Sequence, residues 1–408
     1  MIRYHASWVL PIGDPPIRDG WVAVDRDRVV ALGKRAPGDT TAERDLGSVA
    51  ILPGLVNAHT HLELSYLRDA LPPAPEFVAW LRNVIGARRS HPDPEAADIV
   101  QSIECGIEES IRSGTAVVGD ISNTLATFGP LERSQLAALV FYELIRFTPT
   151  DADVFVEAAC RRLDALVSTA RVRPSLAAHA PYSVAPLVLR AIRRASDRDP
   201  LARCSVHVSE AVEEVEFIKT GGGPCRILLE DLGVWNPSWV APGVSPVQYL
   251  DESGFLDSRV LAVHGVQMSP GDLSRLVARG ATLVTCPRSN RHTGAGAPPL
   301  EAFYESGVRV AVGTDSLASS PDLSVFAELA TMRALAPSVP APTLLDSATR
   351  QGARALGFDS EYGSIEPGKR ARLLAVTIPR GTDDVEEYLV SGIQPEQIRW
   401  IDAGNAKC

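Results

Sequence analysis

The stretch ILPGLVNAHTHLE, residues 51–63, begins with an apolar run and ends in polar side chains. In an extended strand, residues two apart point to the same face, so His59 and His61 can hold one metal ion between them. An HxH pair alone is a weak signal, because two histidines at the surface or in the core give the same pattern. Here the pair follows an apolar strand that contains LPG, and this context favours a metal site at a strand end.

Seven further apolar runs follow, separated by amphipathic stretches long enough for helices. They are TAVVGDI (115–121), LAALVFYEL (136–144), RPSLAAHA (173–180), ARCSVHVS (202–209), VLAVHG (260–265), ATLVTC (281–286) and VRVAVGTD (308–315). This alternation is typical of βαβ units with a parallel sheet, and eight such strands close a (β/α)₈ barrel. We therefore predict an α/β protein with a TIM barrel over residues 51–354.

Short strand-like runs lie near both ends of the chain. WVAVDRDRVVALG (21–33) has two such runs around a charged turn, and YGSIEPGKRARLLAVTI (362–378) has two around Pro367–Gly368. Because chain termini often lie close together, the two ends can build one small domain. We predict a composite β-sandwich from residues 1–50 and 355–408.

The composition is that of a globular protein, with 45% hydrophobic and 22% charged residues in 408. The net charge of −10 argues against nucleic acid or an anionic membrane as partner, and no apolar run approaches the roughly 20 residues of a membrane span. The cysteines are widely spaced, which predicts free thiols in a reducing compartment; they are Cys105, Cys160, Cys204, Cys225, Cys286 and Cys408. We expect a cytoplasmic protein with a small-molecule substrate, and the sequence leaves open whether it is a homo-oligomer.

Polar residues end nearly all of the predicted barrel strands. They are His59, His61, Asp120, Glu143, His179, His207, His264 and Asp315. In a TIM barrel the chemistry lies at the carboxyl ends of the strands. Chance is a poor explanation for a histidine or carboxylate at so many of these ends.

HVSE (207–210) places Glu210 three residues after His207, where a helix begins. A general acid or base beside a metal ligand needs this arrangement. The alternative is a first-turn carboxylate favoured by the helix dipole. Asp315 ends a buried strand, where an unpaired charge is costly, although it could instead cap the next helix. His264 stands alone on its strand, and by itself it fits a core histidine equally well.

The ordered motifs NAHTHLE, HAPYS, HVSE, VHG, CPRSN and GTDS, within residues 51–330, resemble the amidohydrolase superfamily, in its aminohydrolase/chlorohydrolase branch with cytosine and adenosine-type deaminases. GSIEPGKRA resembles a strand of that branch's split β-sandwich, although Arg372 stands where relatives usually have Asp. The resemblance implies four metal ligands, which are His59, His61, His207 and Asp315. It also implies that Glu210 is the proton shuttle, that His264 orients the attacking water or polarises the developing oxyanion, and that His179 and Glu143 lie on the substrate side. His5 and His91 have no part in such a site, and we expect both at the surface.

Lysines are scarce, and this bears on the number of metal ions. Two-metal members of the superfamily typically carry a carboxylated lysine on the fourth strand, whereas this chain has no lysine between Lys34 and Lys219. We therefore expect one divalent ion, zinc first and iron as the alternative.

The function that we predict is hydrolytic release of ammonia from an amino-substituted nitrogen heterocycle. The resemblance is closest to deaminases of modified adenine nucleosides, of the aminodeoxyfutalosine or 5′-methylthioadenosine type. Trp80 could wall the pocket or pack in the core. Arg288 and Arg291 could pair with a substrate carboxylate or lie at the surface. The alternatives are a chlorohydrolase, an alkylaminohydrolase or a cyclic amide hydrolase, and, from another class, an inactive barrel that serves as a binding module.

Overall fold

The computed structural model describes residues 1–34, 43–148 and 150–401. Its first strands are β1 (Ile2–Val9), β2 (Ile17–Asp25), β3 (Arg28–Lys34), β4 (Glu43–Asp45) and β5 (Val49–Pro53). β1 pairs antiparallel with β2, and β2 pairs antiparallel with β3 across the predicted charged turn.

The next eight strands form a parallel sheet in chain order, each paired with its successor. They are β6 (Leu55–Thr60), β7 (Thr115–Ser122), β8 (Ala137–Leu144), β9 (Val172–Ala178), β10 (Cys204–Val208), β11 (Val260–His264), β12 (Thr282–Thr285) and β13 (Arg309–Val312). All eight predicted barrel strands are confirmed. The first predicted run divides at Gly54, because β5 joins the other sheet; a Cβ at Gly54 would lie 2.5 Å from the Ala116 side chain.

The remaining strands are β14 (Leu373–Thr377) and β15 (Ile398–Trp400), which complete a separate seven-stranded sheet. Its order is β15-β14-β5-β1-β2-β3, with β4 beside β1. Both ends of the chain therefore build one sheet with its own core, as predicted. Of the two strand-like runs expected in residues 362–378, only the second is a strand; the first forms bends and a turn at Pro367–Gly368.

Helices occupy most connections between the barrel strands, and four more α-helices follow β13 in the described residues. They are α1 (Phe77–Arg89), α2 (Ala97–Arg112), α3 (Phe128–Arg133), α4 (Ala152–Asp164), α5 (Pro186–Ser196), α6 (Val212–Thr220), α7 (Gly223–Asp231), α8 (Pro246–Glu252), α9 (Pro270–Arg279), α10 (Pro287–His292), α11 (Leu300–Glu305), α12 (Val325–Leu335), α13 (Ala341–Asp346), α14 (Gly352–Ala355) and α15 (Val385–Leu389). Within the described ranges, every helix is too short or too polar to cross a lipid bilayer.

The barrel closes at the two motifs that carry predicted metal ligands. The His59 carbonyl accepts the backbone N–H groups of Thr314 and Asp315, each at 3.1 Å. The Asn57 amide donates to the Thr314 hydroxyl at 2.7 Å and accepts the Thr314 N–H at 3.1 Å. Gly313 allows this approach, because a Cβ there would lie 2.8 Å from the His59 carbonyl oxygen. Closure thus brings NAHTHLE and GTDS together.

The domain boundaries stay a prediction. Phe358 and Tyr362, which we assigned to the side domain, pack with the interior residues of the barrel strands, including Phe141 and Val263. We propose the division into barrel and composite domain, with the barrel unit extending beyond residue 354.

Two smaller expectations can be compared with the structure. The five described cysteines are free thiols, and Cys408 lies outside the described residues. His5, expected at the surface, is only 2% exposed. That expectation was wrong because β1 is covered on one face, where His5 Nε2 lies 3.0 Å from Glu43 Oε1.

Candidate active site

Three of the predicted ligands meet at the carboxyl ends of β6 and β10. His59, His61 and His207 each offer a nitrogen within 4.8 Å of the others. His59 is fully buried, and burial together with the neighbouring histidines holds its pKa well below the usual range. Neutral imidazoles that face one another in this way are suited to binding a metal ion.

The orientation of His207 fits such a role. Its Nδ1 donates to the His179 carbonyl at 2.8 Å, which leaves the Nε2 lone pair free. That Nε2 lies 3.3 Å from Nε2 of His59. In a tetrahedral zinc site with bonds of about 2.0–2.1 Å, two nitrogens lie about 3.3–3.4 Å apart, so the separation matches the expected edge.

Asp315 supplies the carboxylate of this cluster. Its Oδ1 lies 3.6 Å from His61 Nε2 and 3.9 Å from His59 Nε2. Oδ2 accepts the Ser289 hydroxyl at 2.6 Å. Burial alone would raise the pKa of Asp315, but the histidines, His61 first, and this hydrogen bond lower it. The group is therefore an anion at neutral pH, as a metal ligand must be.

Glu210 and His264 face each other beside this cluster. Glu210 Oε2 lies 3.6 Å from His264 Nε2. Burial, then the charges of Asp315, Glu214 and Glu213, raises the pKa of Glu210 well above its ordinary value. Burial lowers the pKa of His264 to about 3, so its ring is neutral. Glu210 can therefore hold a proton near neutral pH, which a shuttle requires.

Asn290 determines which nitrogen of His264 carries the proton. Its side-chain Nδ2 lies 3.0 Å from His264 Nδ1. With the amide donating there, Nδ1 accepts and Nε2 carries the hydrogen. The His264 Nε2–H is then a donor towards the space beside Glu210.

Three of these turns have strained backbone. Ser209, His264 and Asp315 have φ angles of +52°, +76° and +60°, in the left-handed region that side chains other than glycine adopt at a cost. Such conformations gather where a function depends on them. Here each one ends or follows a barrel strand; His264 and Asp315 line the cavity, and Ser209 directly precedes Glu210, which also lines it.

The cluster forms the floor of a cavity of 690 Å³. Three of the predicted substrate-side residues, Glu143, His179 and Trp80, line it. His179 Nδ1 lies 2.5 Å from the Ser183 hydroxyl. Because this hydroxyl donates its hydrogen to the Ala180 carbonyl, it accepts from Nδ1–H, and His179 Nε2 is left as an acceptor.

Arg288 does not line this cavity, so of the two roles that the sequence left open for it, pairing with a substrate carboxylate is not supported. Its guanidinium forms two hydrogen bonds with Asp322, at 2.7 and 2.8 Å, and lies 3.8 Å from Glu328. The Asp322 carboxylate already neutralises its charge. Arg291 is exposed on α10.

The arginines that do line the cavity were missed by the sequence reasoning; they are Arg88, Arg89 and Arg146. Arg88 donates to Asn123 at 2.6 Å and to Glu63 at 3.0 Å. No ion-pair partner of Arg89 is found among the described residues. These arginines lie in α1 and after β8, outside any motif, so no local signal pointed to them.

Other missed residues did carry a signal. Ser289 and Asn290 belong to CPRSN, and Ser183 belongs to HAPYS, so each motif contains the hydrogen-bond partner of a site histidine or carboxylate. Spacing alone cannot reveal the pairs of Ser289 and Asn290, because their partners, Asp315 and His264, come from other strands.

The fold and this cluster define a metal-dependent hydrolase with its site at the mouth of a (β/α)₈ barrel. Residues 50–393 match the model of the amidohydrolase family. The chain belongs to that family.

Relatives with named activities indicate which reaction this chain catalyses. The chain is 34% identical to an aminodeoxyfutalosine deaminase of Deinococcus radiodurans, over 83% of this chain and 81% of that protein. It is 30% identical to a 5-methylthioadenosine/S-adenosylhomocysteine deaminase of Moorella thermoacetica, over 94% and 88%. The crystal structure of a Xanthomonas campestris adenosine deaminase with bound zinc superposes with a TM-score of 0.82 at 26% identity, over 97% and 90% of the two chains. The protein is therefore a hydrolytic deaminase, and a divalent metal ion belongs to its site.

Proposed function

We propose that the protein removes the amino group of a modified adenine nucleoside as ammonia. The observation that carries this proposal is Glu210, whose carboxyl lies 3.6 Å from His264 Nε2 beside the predicted metal ligands. A protonated carboxyl there can serve a ring nitrogen and then a leaving amine, whereas a halide leaves without a proton. Two of the relatives described above are named aminodeoxyfutalosine deaminase and 5-methylthioadenosine/S-adenosylhomocysteine deaminase, the two substrate types that the resemblance predicted.

The metal that we propose is a single zinc ion held by His59, His61, His207 and Asp315. A zinc ion bound there would lower the pKa of the attacking water. The second possible ligand group, Glu143, His179 and His207, shares His207 with the first. The Nδ1 atom of His207 already donates to the His179 carbonyl, so it is not free to bind a second ion. This favours one ion over two.

Proton movement is the task that we assign to Glu210. Its carboxylate takes one proton from water as the water oxygen bonds to the amino-bearing carbon, and delivers it to the adjacent ring nitrogen. The second water proton then goes to the amine, the carbon–nitrogen bond breaks, and ammonia leaves. His264 donates its Nε2–H to the oxygen that gains charge, and Asp315 accepts a hydrogen bond from the attacking water.

The cavity supports a substrate larger than a bare base. Its 690 Å³ lies within the roughly 300–1,000 Å³ of drug-sized sites. Apolar side chains of α1 and α7 form much of its outer part, among them Ile85, Leu228 and Leu229. We propose that this part receives the group attached to the ribose. We propose that Arg89 and Arg146 bind an acidic group of the substrate there. The sequence had suggested Arg288 for this role.

Ammonia release tests the proposal. The purified protein, loaded with zinc or with iron, is assayed with adenosine, 5′-methylthioadenosine, aminodeoxyfutalosine, guanine and cytosine. We expect turnover of a modified adenine nucleoside and no release from free cytosine. Activity on a chlorinated triazine, with none on the panel, would overturn the deaminase assignment in favour of a chlorohydrolase. No bound metal and no activity after metal addition would indicate an inactive barrel.

A further inference from the structure

Glu214 is a fully buried carboxylate to which the proposed reaction gives no part. It lies in the first turn of α6, four residues after Glu210. Its Oε1 accepts the N–H of Ser209 at 3.0 Å, and its Oε2 accepts the N–H of Glu210 at 2.9 Å. One carboxylate thus binds two consecutive N–H groups of the turn that carries the proton shuttle.

The same turn is bound from its other side by the loop that follows β11. The Ser209 carbonyl accepts the Gln267 N–H at 2.8 Å, and the Val208 carbonyl accepts the Gly265 N–H at 3.2 Å. Ser209 itself has a φ of +52°, a conformation that a serine keeps only when its surroundings impose it. The two carboxylate hydrogen bonds are part of what imposes it.

We propose that Glu214 is a positioning residue: its carboxylate fixes the 208–210 turn so that the Glu210 carboxyl stays beside His264. This inference rests on the proposed function for Glu210. Glu214 does not itself line the cavity and is not one of the predicted metal ligands, so it acts through Glu210 and not on the substrate.

The electrostatics agree with this geometry. Burial raises the pKa of Glu214 to about 7, while its hydrogen bonds to the Glu210 and Ser209 N–H groups lower it. The charge of Glu214 also helps, after burial and Asp315, to raise the pKa of Glu210. Its place at the start of a helix favours a negative charge as well.

A simpler view makes Glu214 only a cap that stabilises α6. The two views differ in what Glu214→Gln does. The amide keeps the volume but has one acceptor oxygen, and its NH₂ group would face an N–H. If Glu214 positions Glu210, kcat falls by about 10²-fold, the scale of a displacement near 1 Å, with KM changed little. If it is only a cap, stability falls and kcat per folded, metal-loaded site does not.

The test is a double-mutant cycle with Glu210→Gln, measured on the zinc-loaded full chain with whichever substrate the wild type turns over best. We expect Glu214→Gln to cost about 10²-fold in kcat in the wild-type background and less than about twofold in the Glu210→Gln background. Glu216→Gln, the same change at an exposed position of α6, is the matched control and keeps wild-type kcat. Additive losses, or loss of zinc from Glu214→Gln, would overturn the proposal.

Hydrogen exchange tests the two hydrogen bonds of the Glu214 carboxylate, and this measurement needs no turnover. We expect faster exchange of the Ser209 and Glu210 amides in Glu214→Gln than in the wild type and in Glu216→Gln. Unchanged exchange at both amides overturns the positioning role even if activity falls. A wild type that releases no ammonia from any substrate of the panel overturns the proposed function instead, and the exchange result still tests the two hydrogen bonds.

Discussion

The inner and outer parts of the cavity are built in different ways. The inner part consists of side chains at strand ends, and His207, Asp315 and His264 among them are each hydrogen-bonded to backbone or to a neighbouring side chain. The outer part consists of apolar side chains and arginines on α1 and α7. Rigid strands can hold reacting groups accurately, whereas helices and loops vary without disturbing the sheet. We therefore propose that the inner part governs the reaction and that the outer part governs which substrate enters.

The contacts that hold the helices of the outer part in place are weaker than the hydrogen bonds of the inner part. Arg82 of α1 and Asp231 of α7 form an ion pair of 2.6 Å that is largely exposed, and such pairs contribute little to stability. One buried hydrogen bond also holds α1: Glu213 Oε1 accepts the N–H of Phe77, at the start of this helix, at 3.1 Å. Neighbouring residues Glu213 and Glu214 thus serve the outer and inner parts respectively.

The largest effect is expected from removing a metal ligand of the inner part. His207→Ala should lose the bound metal and all measurable activity, because the Nε2 that faces His59 is gone. Metal analysis of the purified variant, beside the wild type, measures this. A variant that retains stoichiometric metal would place the ion elsewhere.

Glu210→Gln should reduce kcat by about 10²–10⁴-fold, the range of general acid–base catalysis, while the metal stays bound. The amide keeps the shape of the side chain but cannot take a proton from water. Steady-state kinetics together with metal analysis check both halves of the prediction. Near-normal turnover would show that another group moves the proton.

Trp80→Phe tests the outer part. The Trp80 Nε1 is buried and has no hydrogen-bond partner among the described residues, so a substrate acceptor can satisfy it. Loss of one hydrogen bond of about 0.5–1.5 kcal/mol should raise KM roughly 2- to 10-fold with kcat unchanged. An effect on kcat alone would remove the distinction between the two parts of the cavity.

Arg89→Ala should change selectivity and little else. Because Arg89 is exposed, its pairing with an acidic substrate group is expected to contribute at most about 1 kcal/mol, a change of roughly fivefold in kcat/KM. The comparison is between an acidic and a neutral nucleoside, with Arg291→Ala as the matched control outside the cavity. Equal losses on both substrates would argue against carboxylate recognition.

The smallest effect concerns pH and stability. Burial raises the pKa of Glu328 to about 8. A carboxyl whose pKa is raised by folding stabilises the protein below its unfolded pKa, and this contribution is lost as the pH rises through about 8. The Tm of the wild type should therefore fall more between pH 7 and 9 than that of Glu328→Gln. Parallel curves would mean that Glu328 is ionised throughout.

Much of the site could be predicted because strand ends and active sites coincide in this fold. His59, His61, His207 and Asp315 each follow an apolar run, and the structure brings them together. Arg288 shows the limit. A nearby arginine in the sequence looked available, but the aspartate that neutralises it is 34 residues away along the chain.

The sequence by itself determined the eight barrel strands and the polar residues at the barrel mouth, because these depend on local patterns of apolar and polar residues. Only the tertiary structure decided which arginines reach the cavity, which tautomer Asn290 gives His264, and that Glu214 binds the turn of Glu210. Those features depend on hydrogen bonds between side chains and backbone that local patterns do not encode.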